Sequence, residues 1–163
     1  MQLTTAQQTT LRNFVLADPV FSVQPQTNSG ALFIAEALNQ PTEPAFIVWR
    51  TSVSVDEIMR NGMDWARVDN LSVGKARIWD WMSRLGSFDA SKPNVRAGID
   101  ACWVGTAADL AVRASVYVHC KRVANGVEKL LATGTGSNAV PAIASAEGTL
   151  SYLDIVQAMG WFY

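Results

Sequence analysis

Charge is scarce in this chain of 163 residues. Only 17% are Asp, Glu, Lys or Arg, well under the roughly 25% usual for globular domains. The 13 basic and 14 acidic residues cancel to a net charge of −1. A general binder of nucleic acid or of anionic membranes carries a basic excess, and none is present. Low charge combined with 49% apolar residues also excludes intrinsic disorder as the overall state. Histidine occurs once, at His119, so any Ser-His-Asp or Cys-His site has to use it. The two cysteines, Cys102 and Cys120, are far apart and have no metal-ligand spacing. They read as free thiols that behave as small buried hydrophobes. No window reaches the ~18 apolar residues of a membrane span. The opening Met1-Gln2-Leu3-Thr4-Thr5-Ala6-Gln7-Gln8 lacks the basic and apolar regions of a signal peptide.

What is present is apolar and aromatic. A chain of this size buries about 69% of the surface that it exposes when unfolded, enough for a core without metal or disulfides. Six tryptophans on a nearly neutral, weakly charged chain pose a solubility problem for a monomer. A large core would hold them; alternatively, other subunits cover part of the surface. The run Trp161-Phe162-Tyr163 favours the second answer, because three exposed aromatics at a chain end form a costly patch.

The pattern along the chain is mainly α. Thr4 and Gln7 form a capping-box pair, Leu11, Phe14 and Val15 a helical stripe, and Asp18-Pro19 a stop. A second helix is expected from Asn28 or Ser29 to Asn39, with Leu32, Ile34, Ala35 and Leu38 inward. Ala45 to Trp49 is a strand or a buried connector, which periodicity cannot decide. Ser54 and Glu57 suggest another capping box. Ser72 opens a helix whose Ile78, Trp81, Met82 and Leu85 form the core stripe, with Gly86 as the stop. Trp79 lies about 100° off that stripe and either widens the core face or points at a partner. Pro93 starts a short helix through Ile99 and Cys102. Thr106 and Asp109 cap the longest expected helix, 107–132, with Val112, Val116, Cys120, Val123, Val127 and Leu130 on one arc.

After Leu131 the character changes. Thr133 to Asn138 is a Gly/Thr turn tract, followed by a weakly extended stretch or hairpin. Ser151 and Asp154 cap a short last helix carrying Ile155, Val156 and Met159. The expected organisation is a helical bundle body over 1–132, with an appended arm over 133–163 whose order depends on partners.

No pattern asks for catalysis. His119 borders an apolar arc, and the adjacent Cys120 points about 100° away, so the two form no natural dyad. Gly134-Thr135-Gly136 lacks the Gly-Lys-Ser/Thr ending of a phosphate loop and reads as a hinge. The acidic residues Asp56, Glu57, Asp109 and Asp154 fall in helix first turns, where the dipole favours them. No catalytic residue, cofactor or metal is therefore expected. The candidate interface residues are Trp79, Ile155, Met159, Trp161, Phe162 and Tyr163.

Several segments carry a resemblance. They are Leu3 to Gln7 with Leu16 to Pro19, Asn28 to Asn39, Pro44 to Val53, Glu128 to Ser137 and Glu147 to Asp154. In this order they resemble a family of small virion proteins of tailed bacteriophages, and the likeness is weakest over residues 60–100. The build is similar to head–tail connectors. The resemblance implies a non-enzymatic adaptor that forms a homo-oligomeric ring, a dodecamer, beneath the portal protein. Its other partner would be the next neck or tail protein. DNA would pass through the channel without sequence-specific binding, and no membrane would be involved. Assembly in the host cytoplasm and a final place in the virion neck follow from the same likeness. The other readings are a tail-completion or minor capsid decoration protein, and a small intracellular enzyme using His119 or a cysteine.

Overall fold

The computed structural model describes residues 1–161, and the fold is mainly α. The chain runs through α1 (Thr5–Ala17), α2 (Asn28–Leu38) and β1 (Ile47–Trp49). It continues with β2 (Val53–Ser54), α3 (Val55–Arg60), α4 (Trp65–Asp69), α5 (Val73–Arg84), β3 (Ser87–Phe88), α6 (Pro93–Cys102) and α7 (Ala107–His119). It returns through β4 (Lys121–Val123), α8 (Gly126–Leu131), β5 (Ala132–Thr133), β6 (Ile143–Ala144) and α9 (Tyr152–Met159). The strands form three two-stranded sheets, β1 with β4, β2 with β3, and β5 with β6. The residues divide into two compact units. Unit 1 comprises 1–48 and the chain from Val123 onward, and unit 2 comprises Trp49–Arg122. Unit 2 is thus an insertion in the chain of unit 1, and the expected boundary between 132 and 133 falls inside unit 1.

Unit 1 is built around α1, α2, α8 and α9. Both halves of the Thr4–Gln7 capping box form, and Thr27 caps α2 through the Gly30 N–H. Leu11, Val15, Ile34, Leu38, Val127, Ile155, Met159 and Trp161 share one core. The expected inward position of Leu32 is a correction: it is exposed, because the buried face of α2 is set by Gly30, Ala31, Ile34, Ala35 and Leu38. Leu150, Ile155, Ala158, Met159 and Trp161 are part of this core, so the stretch from Leu150 to Trp161 packs into unit 1 and does not stand apart as the expected arm. Asn39 and Leu150 exchange two hydrogen bonds, at 2.8 and 2.9 Å. The Gln7 amide donates to the Ser145 carbonyl, and the Met1 amino group to Asp154. Buried Glu128 accepts from the Gly148 N–H while it also closes the capping box of Asn125. The expected hairpin is present as the antiparallel pair Ala132↔Ala144 and Thr133↔Ile143.

Unit 2 packs α3 and α5–α7 around Val53, Ile58, Trp79, Phe88, Ile99, Trp103, Val112 and Val116. Pro93 stands in the first turn of α6, and Thr106 with Asp109 makes a full capping box on α7. The single helix expected over 107–132 is two helices. α7 ends at His119, β4 pairs with β1, and Asn125 with Glu128 caps a new start at Gly126. Of the expected arc, Val112, Val116, Cys120 and Val127 are buried, whereas Val123, in β4, is exposed, because the break takes it off the helical repeat. Ser54 precedes α3 as foreseen but makes no side-chain cap, and the Glu57 carboxylate, expected to close the box, accepts from Arg50 instead.

Candidate functional site

Four of the six residues foreseen at an interface, Trp79, Ile155, Met159 and Trp161, sit in cores of the chain itself. Ile155, Met159 and Trp161 are 0%, 7% and 9% exposed within unit 1. Gly160, in the left-handed conformation at φ 71°, ends α9 and turns Trp161 back onto it, where the Trp161 N–H donates to the Val156 carbonyl. Phe162 and Tyr163, named with them, lie outside the described residues.

In unit 2 the roles of the α5 tryptophans are reversed. Trp79 is 3% exposed and lies edge-on to Phe88 and Trp103, with ring centroids 5.7 and 5.2 Å away. Trp81 and Leu85 of the expected stripe are 63% and 73% exposed. Ile78 and Met82 flank Trp79 on the core side. An i, i+3, i+4, i+7 spacing identifies a helical face but not its centre, and Trp79 shifts that centre by about one residue step.

The densest polar cluster surrounds His119. Its Nδ1 lies 3.3 Å from Glu57 Oε1 and its Nε2 lies 3.0 Å from the Asn61 carbonyl oxygen. Arg50 Nη1 donates to the same Glu57 oxygen at 2.7 Å and to the His119 carbonyl at 2.9 Å. The Arg50 guanidinium, followed by His119, holds the Glu57 carboxyl below its ordinary range. With both ring nitrogens facing acceptors, neither is presented to a nucleophile. The cluster ties α3 to the end of α7. Sequence reasoning found His119 but missed Arg50 and Glu57, since partners at 62 and 69 residues' separation share no local pattern.

The thiols of Cys102 and Cys120 are free, buried and pushed up to about 11 chiefly by burial. At neutral pH they are thiols and not nucleophilic thiolates. The Asp109 carboxyl is held down to about 2, first by the Arg67 guanidinium and then by the Thr106 N–H and hydroxyl. That contact joins α4 to the N-terminus of α7. Among the described residues no three His, Cys, Asp or Glu side chains converge as a metal site, and no helix is long and apolar enough to cross a membrane.

Among the described residues, candidate contact surfaces include a face of α2, a face of α5 and a cleft in unit 1. On α2, Leu32 and Phe33 are about half exposed beside exposed Glu36. On α5, Val73, Trp81 and Leu85 stand out beside exposed Arg77, Asp80 and Arg84. In unit 1 an open cleft of about 530 Å³ is lined by Phe14, Leu38, Pro41, Glu43, Lys129 and Leu130. No protein-family model, curated protein or solved structure matches this chain.

Proposed function

We propose that this chain is a non-enzymatic structural subunit of a tailed-bacteriophage virion, a head–tail connector that forms a ring between the portal protein and the next neck or tail protein. One observation carries the assembly part of the reading. Large apolar side chains stand exposed on regular helix faces of a chain with few charges: Phe33, Trp65, Trp81 and Leu85 are 45%, 59%, 63% and 73% exposed. Exposed apolar side chains that join into a patch mark protein–protein contact, and that is the role this reading gives them. The virion part rests on the sequence resemblance. Its segments fall almost wholly in unit 1, and the stretch where it is weakest, residues 60–100, falls in unit 2. In this reading unit 1 supplies the shared body and unit 2 supplies contacts particular to this assembly. DNA passes the ring through shape and exclusion alone, and the ring is dodecameric.

The experiment is imaging of particles that carry a labelled copy of the chain. Density on the portal axis, between capsid and tail, is the expected result. Label on capsid faces would replace this reading with a decoration protein, and label at the tail end with a completion protein. Absence from particles would overturn the virion reading and return attention to an intracellular role.

A further inference from the structure

We infer that the chain associates head to tail, with the outer face of α2 of one copy seated on the outer face of α5 of the next. The inference rests on the assembly reading above and names its contact. The first observation is the charge of the two units. Unit 2 holds 11 of the 13 Lys and Arg residues against 8 Asp and Glu, a formal charge of +3. Unit 1 holds the other two basic residues, Arg12 and Lys129, against six acidic ones, a formal charge of −4. A nearly neutral chain is thus two units of opposite sign, and opposite potentials steer and orient association.

The second observation is that each unit offers an apolar helix face of its own sign. Leu32, Phe33 and Glu36 fall within about 100° on α2, and all three are exposed. Val73, Arg77, Trp81, Arg84 and Leu85 fall within about 120° on α5, and all are exposed. Asp80, 2.9 Å from Arg84, neutralises one of the two arginines and leaves the face net positive. The helices have 11 and 12 residues and so span ~16 and ~18 Å, matched lengths for one helix laid on another.

The chemistry selects this pairing. A two-fold contact of α5 with α5 would place Arg77 near its own copy, and one of α2 with α2 would do the same for Glu36. A nucleic acid would use the basic face, but it has no use for Val73, Trp81 and Leu85 interleaved with Asp80. Pairing α2 with α5 covers the apolar side chains of both faces and sets Glu36 against Arg77. Such a contact joins two different surfaces, so an open assembly always keeps one α2 face and one α5 face free, and the series continues until rotation closes it.

The test uses the full chain and two variants at exposed positions, Phe33→Asp on α2 and Trp81→Asp on α5. Circular dichroism checks that both keep wild-type helix content. Light scattering coupled to size exclusion reads the mass. Wild type is expected to form oligomers at high micromolar concentration, and each variant alone to stay monomeric. Their equimolar mixture is expected to give a dimer and nothing larger, since one good face survives on each partner. A second pair reads the charges. Glu36→Arg and Arg77→Glu should each weaken association about fivefold, and the double variant should restore it. A wild-type chain that stays monomeric, a variant that assembles normally, a single variant that dimerises with itself, or a mixture that stays monomeric would each overturn the inference. So would association that depends on co-purified nucleic acid and vanishes after nuclease treatment. The readout needs no particle, so it fails or succeeds independently of where imaging places the chain.

Discussion

Asp109 serves two elements at once. Its carboxylate closes the capping box of α7 at the Thr106 N–H and pairs with Arg67 of α4. Its folded pKa of about 2 lies below the ordinary carboxylate value of ~3.9. The contribution to stability is therefore fully present above about pH 4 and disappears as the pH falls through 4 towards 2. Asp109→Asn should lower the thermal midpoint of unit 2 at pH 7, and the gap from wild type should close when both are melted near pH 2. At His119 the expectation differs. His119→Gln replaces a ring whose two nitrogens lie towards Glu57 and the Asn61 carbonyl with a single amide end, which cannot reach both. A loss of about 1 kcal/mol in urea unfolding is expected, with helix content unchanged. Local signals such as Thr106-x-x-Asp109 were legible in the sequence, because a capping box lies within four residues. The Arg50–Glu57–His119 cluster was not, because only the fold brings Arg50 to the end of α7.

At the level of elements, α5 shows how a correct helix can be given the wrong face. Its start at Ser72 and its stop before Gly86, which has φ 76°, were both readable. The inner side was not, since the apolar residues from Ile78 to Leu85 spread over about 160°, wider than one buried face. Trp79→Ala should cost about 3–5 kcal/mol by opening a cavity between Phe88 and Trp103. Trp81→Ala should leave the monomer's stability within about 0.5 kcal/mol of wild type, and chemical denaturation of the two variants checks the contrast. The hairpin of β5 and β6 depends on one backbone position. Gly136 sits at φ 67°, and a Cβ there would fall within the ring of Phe46. Gly136→Ala meets a steric clash and a left-handed conformation together. A loss of at least about 1–3 kcal/mol is expected in the melting of unit 1.

For the whole molecule, the mainly helical class and most helix starts could be read, but the partition of the chain could not. Residues 1–48 and 123–161 build one compact unit, and nothing in local composition marks the crossings at Val48 and Val123. The opposite charges of the units were hidden for the same reason: they cancel in the total and appear only once the insertion is known. Truncation after Leu131 removes Ile155, Ala158, Met159 and Trp161 from the core of unit 1. Far-ultraviolet circular dichroism of the truncated chain should show α1 and α2 lost as well as the deleted helix. A body that keeps those helices would mean that the residues after 131 are dispensable to it.

The insertion also sets a timetable. Asn39 must wait for Leu150, 111 residues later, before its two hydrogen bonds form. At the usual ~5–20 residues per second of synthesis, that is roughly 6–20 s. Throughout that interval the inner side of α2, with Ile34, Ala35 and Leu38, has no α9 to cover it, while all of unit 2 is translated. α1 and α2, made before unit 2, are thus among the last of these helices to find their place. Nascent chains stalled before α9 should be bound by chaperones that recognise apolar segments, whereas chains released after α9 should not.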